Sequence, residues 1–386
     1  MSGQSGRMTR CLIVPPHILV RLAAVGDPRI ARAAERTLAV GQDLHTRREV
    51  RAARSGREAG GLGGTGLLPG DLRERARGPH GSTRAPAQGA AAPAPAPKRS
   101  IHDAQQGTTL PGTLVRSEGQ AAVADESANE AYDGLGQTFA LYAEAYGRNS
   151  LDGAGLELVA SVHYDRDFDN AFWDGEQMVF GDGDGEYFNS FTDSIDVIGH
   201  ELTHGFTQFT AGFTYVAQSG ALNESVSDVF GSLVKQRALK QTAEQADWLI
   251  GDHLFTDKVK GVALRSMKDP GTAYDDPHLG KDPQPADMAG YQDLPHDEQN
   301  DNGGVHINSG IPNRAFYLAA TGIGGNAWEG AGQIWFDVMT GGGLAKDADF
   351  TAFAEATIKA AGARFGAGGD QEDAVRQAWS TVKVLP

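Results

Sequence analysis

Residues 197–208, VIGHELTHGFTQ, constrain this chain more than any other stretch. They place His200 and His204 four apart, with Glu201 directly after the first histidine and the largely apolar run SIDVIG leading in. On a helix, positions i and i+4 share a face one turn apart, so both imidazoles can reach a single tetrahedral ion. Glu201 falls on an adjoining strip, near enough to touch a water beside the ion without ligating it. The apolar lead-in predicts a buried helix, which counts against an exposed polar face. A catalytic centre of this kind needs a third protein ligand and an open fourth position. The segment SGALNESVSDVFGSLV offers Glu224 on a second predicted helix, whose apolar side is Leu222, Val226, Val229, Phe230 and Leu233. Asp228 follows Glu224 by four and faces the same way. Two carboxylates on one turn of an apolar helix are costly to bury without a cation. Glu224 as ligand and Asp228 as acceptor for a histidine N–H would satisfy both. At this point two solvent-exposed carboxylates remain the alternative.

Charge and cysteine usage narrow the class. The net charge of −16 is uneven: residues 1–100 hold 17 basic and 7 acidic side chains, leaving 17 basic and 43 acidic for 101–386. So acidic a C-terminal portion argues against a nucleic-acid surface. The basic run HTRREVRAARSGRE reads as a solvated linker rather than a polyanion site. The single cysteine, Cys11, excludes an internal disulfide framework and a cysteine-built zinc site. It is either a thiolate ligand in a precursor form or a small packed residue. No apolar run approaches the roughly 20 residues of a membrane helix. RMTRCLIVPPHILVRLAA imitates a signal peptide, but Pro15 and Pro16 break its apolar centre and His17 sits within it.

Along the chain, GDPRIARAAERTLAVG predicts a helix with Asp27 as N-cap, Pro28 in the first turn and Gly41 at the end. Residues 50–98 turn Gly-, Ala- and Pro-rich and carry little that could form a core. The glycines at 61, 63 and 66 match a GxGxxG pattern with no strand before it and no helix after it, so they read as linker. From about Ile101 the composition is globular. LELVASVHYDRDFDNAFWDGEQMVFGDG carries strand-like stretches broken by turns. GDGDGEYFNSFTD reads as a hairpin turn, because counted from Asp182 a calcium loop would need Gly where Tyr187 stands and Glu where Asp193 stands. Further helices are predicted at 219–240, around 312–320, and at 327–339, 350–362 and 370–382. Strands first and helices later predict an α+β enzyme of two lobes.

The combination His200-Glu201-x-x-His204, then Asn223-Glu224-x-x-x-Asp228 twenty residues beyond the second histidine, resembles the thermolysin-like metallopeptidases. NAFWDGEQMVFGDGDG, GVALRSMKDP and DNGGVHINSGI are similar to that family's substrate-site segments. CLIVPPHIL resembles the short propeptide of its protealysin-like branch, with His17 where the branch has an aromatic residue. The resemblance implies a short propeptide over 1–49, the Gly/Ala/Pro-rich linker over 50–100, and a peptidase domain over 101–386. Within that domain it implies a β-rich N-terminal lobe with the zinc helix (101–212) and a mainly helical C-terminal lobe (213–386).

It also implies a zinc endopeptidase made as a zymogen, with one Zn2+ on His200, His204 and Glu224, and Asn223 and Asp228 supporting those ligands. Glu201 is the implied general base, Tyr215 and His306 the oxyanion donors, and Asp301 the residue keeping His306 protonated. Asn170 and Ala171 would pair with an extended peptide, and Arg265 with the carbonyl after the cleaved bond. Phe188, Phe191, Val197, Ile250, Leu254 and Leu264 would form the pocket for the residue after that bond, favouring bulky apolar side chains. The family's paired calcium site corresponds to Asp196, Asp247 and Asp252, but Lys235 and Leu249 stand at two further ligand positions. Lys235 is expected to neutralise Asp196 in place of calcium, leaving no ion there. Expected partners are peptide and protein substrates and the chain's own propeptide, acting on a monomer with no nucleic acid and no membrane span. The resemblance implies secretion, with cytoplasmic accumulation the alternative. Two other readings are a catalytically silent peptide-binding zinc protein and an aminopeptidase on another fold. Intact Glu201, Tyr215, Asp301 and His306 disfavour the first, and the twenty-residue ligand gap the second.

Overall fold

The computed structural model describes residues 12–40 and 94–386. Cys11, Gly41, the basic run at 45–58, the glycines at 61, 63 and 66 and most of the proposed linker lie outside the described residues.

The N-terminal segment begins extended. Pro16 opens helix α1 (Pro16–Ala23), as its fixed φ suits a first helical position. A second helix, α2, runs over 28–40; Asp27 accepts a hydrogen bond from the Arg29 N–H (2.7 Å), the cap read from the sequence.

The first lobe is built on a five-stranded sheet ordered β2-β1-β3-β5-β4. Its strands are β1 (Arg99–Asp103), β2 (Thr113–Ser117), β3 (Leu158–Val162), β4 (Ala171–Trp173) and β5 (Met178–Phe180). β1–β3 and β3–β5 pair in parallel, whereas β1–β2 and β4–β5 are antiparallel. β1 therefore starts two residues before the globular boundary set at Ile101. Helix α3 (Glu126–Ala140) packs on the sheet. Its Asp125 cap accepts from the Ala128 N–H (3.0 Å). No helix is predicted here from the sequence, although Tyr132, Leu135 and Phe139 join Ala128, Ala131 and Gly134 on its buried face at helical spacing. The β4–β5 hairpin turns at Asp174, not at the following GDGDGEYFNSFTD. There Asp184 Oδ1 instead accepts from the N–H groups of Glu186, Tyr187 and Phe188 at 2.7–3.1 Å, so the segment is an Asp-centred loop and not a hairpin.

Helices α4 (Ile195–Gln208) and α5 (Ala217–Leu239) form the spine between the lobes. The short strands β6 (Leu249–Ile250) and β7 (Arg265–Ser266) pair beyond α5. The second lobe is α6 (Asp301–Asn308), α7 (Gly310–Ile323), α8 (Ala331–Thr340), α9 (Phe350–Phe365) and α10 (Asp370–Thr381). Trp335, Trp379, Phe316 and Phe353 are buried at its centre, Trp335 and Trp379 with parallel rings 6.2 Å apart. The two-lobed α+β architecture agrees with the expectation. α5 differs from it in one respect: it is buried on every side from Ser219 to Gln236, not along one apolar stripe.

Candidate metal centre and peptide cleft

α4 and α5 cross at unusually short range, and glycine permits it. A Cβ on Gly231 would lie 2.4 Å from the Asp196 carbonyl oxygen and 3.0 Å from the His200 nitrogen. That crossing brings His200, Glu201 and His204 of α4 against Asn223, Glu224 and Asp228 of α5, all six buried. The two imidazole Nε2 atoms are 3.0 Å apart. The Glu224 carboxylate lies 3.5 Å from the first and 3.6 Å from the second. For Zn–N and Zn–O bonds of about 2.0–2.1 Å, the edge of a ligand tetrahedron is about 3.3–3.4 Å. The three side chains thus fit zinc, and the buried Glu224 Oε2, which has no hydrogen-bond partner, is the kind of atom a cation would satisfy. Glu201 offers an oxygen within 4.8 Å of the same histidine nitrogens. Its Oε2 accepts from the Trp173 N–H of β4 (3.0 Å).

The outer nitrogens are tied down as a metal site requires. His200 Nδ1 donates to Asp228 Oδ1 (2.7 Å) and His204 Nδ1 to Asn223 Oδ1 (2.9 Å), leaving both Nε2 lone pairs for the ion. Burial foremost pushes the His204 pKa down to about 3, so the imidazole is neutral, as a ligand must be. Ser227 Oγ also lies 3.0 Å from His204 Nδ1. It is not among the site residues expected from the sequence, although its i+4 spacing from Asn223 puts both on one helix face.

Asp228 is a hub. Besides His200 it accepts from Arg265 Nε (2.9 Å) and Nη2 (2.8 Å) and from Asn313 Nδ2 (2.8 Å). Burial alone would raise its pKa, but the Arg265 guanidinium and His200 hold it well below the usual carboxylate range. Asn313 carries no sequence signal; only the packing of α7 on α5 brings it there.

On the other wall, residues 301–304 all have positive φ, and regular helix begins only at Val305. A side chain at Gly303 would meet His296 at 3.0 Å and Ala217 at 3.1 Å. This left-handed run folds Asp301 back onto His306, whose N–H (2.8 Å) and Nδ1 (2.5 Å) both bond its carboxylate. Burial would lower the His306 pKa. The charges of Asp301 and Glu224 outweigh it and raise the pKa to about 9, so the ring is a cation with a donating Nε2–H. Tyr215 donates to Glu224 and lies 3.3 Å from His306 Nε2.

The cleft between these walls holds residues 12–14 of the chain itself. Leu12 pairs antiparallel with Phe172, extending the β4 edge. Ile13 N–H donates to the Ala171 carbonyl (3.3 Å), and Arg265 Nη1 donates to the Ile13 carbonyl (3.0 Å). Asn170 accepts from the Val14 N–H (3.0 Å) and donates to its carbonyl (3.3 Å). His306 Nε2 donates to the Leu12 carbonyl (3.0 Å). Ile13 is fully buried, as are Phe188, Phe191, Val197, Ile250, Leu254 and Leu264. His17 meets the Tyr274 hydroxyl at 2.9 Å, and Arg29 and Arg36 reach Asp167 and Asp165.

At the position of the implied calcium pair, the Lys235 ammonium lies 3.5 Å from Asp196, 2.9 Å from Asp247 and 3.0 Å from Asp252, and donates to the Leu249 carbonyl (3.5 Å). Among the described residues no helix is long and apolar enough to cross a membrane.

Family models described as "Thermolysin metallopeptidase, catalytic domain" and "Thermolysin metallopeptidase, alpha-helical domain" match residues 93–208 and 211–384. The chain is 48% identical to an "Extracellular metalloprotease" of Pectobacterium carotovorum subsp. carotovorum, over 97% of this chain and 96% of that one. It is 37% identical to a "Thermolysin" of Alicyclobacillus acidocaldarius subsp. acidocaldarius over 73% of this chain, and spans half of that relative. A solved structure, "Precursor of Protealysin, Metalloproteinase from Serratia proteamaculans", superposes with a TM-score of 0.80 at 47% identity, covering 97% of this chain and 100% of that one.

Proposed function

The chain belongs to the thermolysin metallopeptidase family, and from that premise we propose the part each residue plays in its reaction. It is a zinc-dependent endopeptidase made as a zymogen, cutting on the amino side of bulky apolar residues. The observation that carries the assignment of roles is the extended peptide, residues 12–14, bonded across the cleft by Asn170, Ala171, Arg265 and His306.

His200, His204 and Glu224 hold the zinc, which when bound supplies Lewis-acid polarisation of the scissile carbonyl and a lowered pKa for water. Glu201, steadied by the Trp173 N–H, takes a proton from the attacking water and passes it to the leaving nitrogen. His306, kept cationic by Asp301, donates to the oxygen on which negative charge develops, and Tyr215 is the second donor. Arg265, locked by two bonds to Asp228, fixes the carbonyl after the cleaved bond. Since Asp228 also sets the His200 tautomer, one carboxylate aligns both the metal ligand and the substrate clamp. Phe188, Phe191, Val197, Ile250, Leu254 and Leu264, all buried, form the pocket that selects bulky apolar residues.

Segment 12–40, docked across this cleft, is the propeptide that keeps the precursor latent, and the Gly/Ala/Pro-rich stretch after it is the place where cleavage releases it. Metal ligands, donors and peptide-binding residues all come from one chain, so the working unit is the monomer. The acidic composition of residues 101–386 argues against a nucleic-acid partner. Relatives named extracellular support secretion, with cytoplasmic accumulation as the alternative. At the position corresponding to the family's paired calcium site, Lys235 serves as the counter-charge to Asp196. Incubating the purified protein with casein, with and without a zinc chelator, and sequencing the new N-termini tests the assignment. Cuts before Leu, Ile, Val or Phe that vanish with chelator support it; chelator-resistant cleavage overturns it.

A further inference from the structure

Two catalytic groups touch consecutive carbonyls of the docked segment, and together they single out one bond. His306 Nε2 bonds the oxygen of Leu12 (3.0 Å), and Arg265 Nη1 the oxygen of Ile13 (3.0 Å). If His306 serves the carbonyl under attack and Arg265 the next one, the bond between them is Leu12–Ile13. The chain direction agrees. Ile13, fully buried, follows that bond, and the Ile13 N–H faces the Ala171 carbonyl. The segment therefore lies in the direction and register of a substrate, not reversed across the cleft.

We propose that Leu12–Ile13 is itself a substrate bond of this active centre, hydrolysed in cis within the precursor. The inference rests on the peptidase reading above. In the step, a water oxygen bonds to the Leu12 carbonyl carbon and the Leu12–Ile13 C–N bond breaks. Glu201 carries the water's proton to the Ile13 nitrogen, giving a Leu12 carboxylate and an Ile13 ammonium. No other reactant is needed.

The cut does not free the cleft. Of the five hydrogen bonds that hold residues 12–14 to Asn170, Ala171, Arg265 and His306, only the one to the Leu12 oxygen belongs to the departing piece. Ile13 stays buried, with its carbonyl on Arg265. α1, the His17–Tyr274 contact and the Arg29 and Arg36 ion pairs all lie C-terminal to the cut. The trimmed chain, beginning at Ile13, remains latent until the linker is cleaved.

The test follows the zinc-loaded full-length chain by intact mass and N-terminal sequencing. A species beginning at Ile13 should accumulate with a first-order rate unchanged over about 100-fold dilution, should not form in Glu201→Gln, and should form at least ~10-fold more slowly in Ile13→Asp. A readout independent of turnover is amide hydrogen exchange in the full-length Glu201→Gln chain. There the Ile13 and Val14 amides should be protected, and the same amides in an added Ile13→Asp change should not be. Casein cleavage by linker-processed enzyme while Leu12–Ile13 stays intact overturns this proposal and leaves the peptidase reading standing. A cut at Leu12–Ile13 whose rate scales with protein concentration overturns the cis step. If neither casein nor Leu12–Ile13 is cut, the peptidase reading fails and this inference with it.

Discussion

His17 makes the latency of the precursor sensitive to acid. Its Nε2 faces the Tyr274 hydroxyl and its Nδ1 is buried without a partner. Around it stand Asp301, His306, Arg21 and Arg265, and three of these four raise the cost of a second positive charge. Burial foremost lowers the His17 pKa from 6.5 to about 4 when the segment is docked. The docked state therefore prefers neutral His17, and docking keeps its full strength above about pH 6.5. It weakens as pH falls from 6.5 toward 4, because the released segment takes up the proton first. For pKa values of 6.5 released and about 4 docked, the loss at pH 5 is about 2 kcal/mol, a roughly 30-fold weaker docking. A synthetic peptide of residues 12–40 titrated calorimetrically into processed Glu201→Gln enzyme at pH 7.5 and pH 5 measures it. The same peptide with His17→Phe should lose most of this pH step while binding comparably at pH 7.5. Parallel weakening of both peptides would assign the step to other groups and refute the argument.

Glu201→Gln should retain stoichiometric zinc and lose peptidase activity by at least about 100-fold, since the amide cannot accept the water's proton; metal analysis beside a peptide assay checks this. Melting curves in millimolar calcium and in a calcium-selective chelator should overlay within about 2 °C, because the Lys235 ammonium already sits among Asp196, Asp247 and Asp252 and neutralises Asp196; a shift on the order of 10 °C would show that an ion binds there. Lys235→Met should destabilise the fold by about 3–5 kcal/mol in denaturant titrations by leaving Asp196 buried and unpaired. Gly231→Ala should cost about 1–3 kcal/mol and weaken zinc retention, because the added methyl forces α4 and α5 apart; an unchanged midpoint and zinc content would contradict the close-crossing account.

Much of the centre was legible because its signals are local. His200 and His204 share a helix face by spacing alone, as do Glu224 and Asp228, and an apolar context marks both helices as buried. Resemblance extended this to Tyr215, Arg265, Asp301 and His306, which the fold brings to the same cleft. Helix α3 was legible too, since Tyr132, Leu135 and Phe139 fall on one face at helical spacing, but the three glycine or alanine positions between and before them dilute that stripe. The Asp184 loop differs from the expected hairpin because its N–H groups turn inward to the one carboxylate two to four residues earlier, a local side-chain cap that strand-and-turn patterning does not register.

By itself, then, the sequence determined which side chains can ligate, accept and donate, since residue type and helical period decide that. The tertiary structure alone decided what they do to one another. The glycine-permitted crossing at Gly231 puts Glu224 against two histidines of another helix, and the left-handed run at 301–304 aims His306. The packing of α7 adds Asn313 to Asp228, and the docking of residues 12–14 sets which carbonyls meet His306 and Arg265. Each of these depends on contacts between segments far apart in the chain, where orientation and distance follow from packing, and no local pattern of residues encodes them.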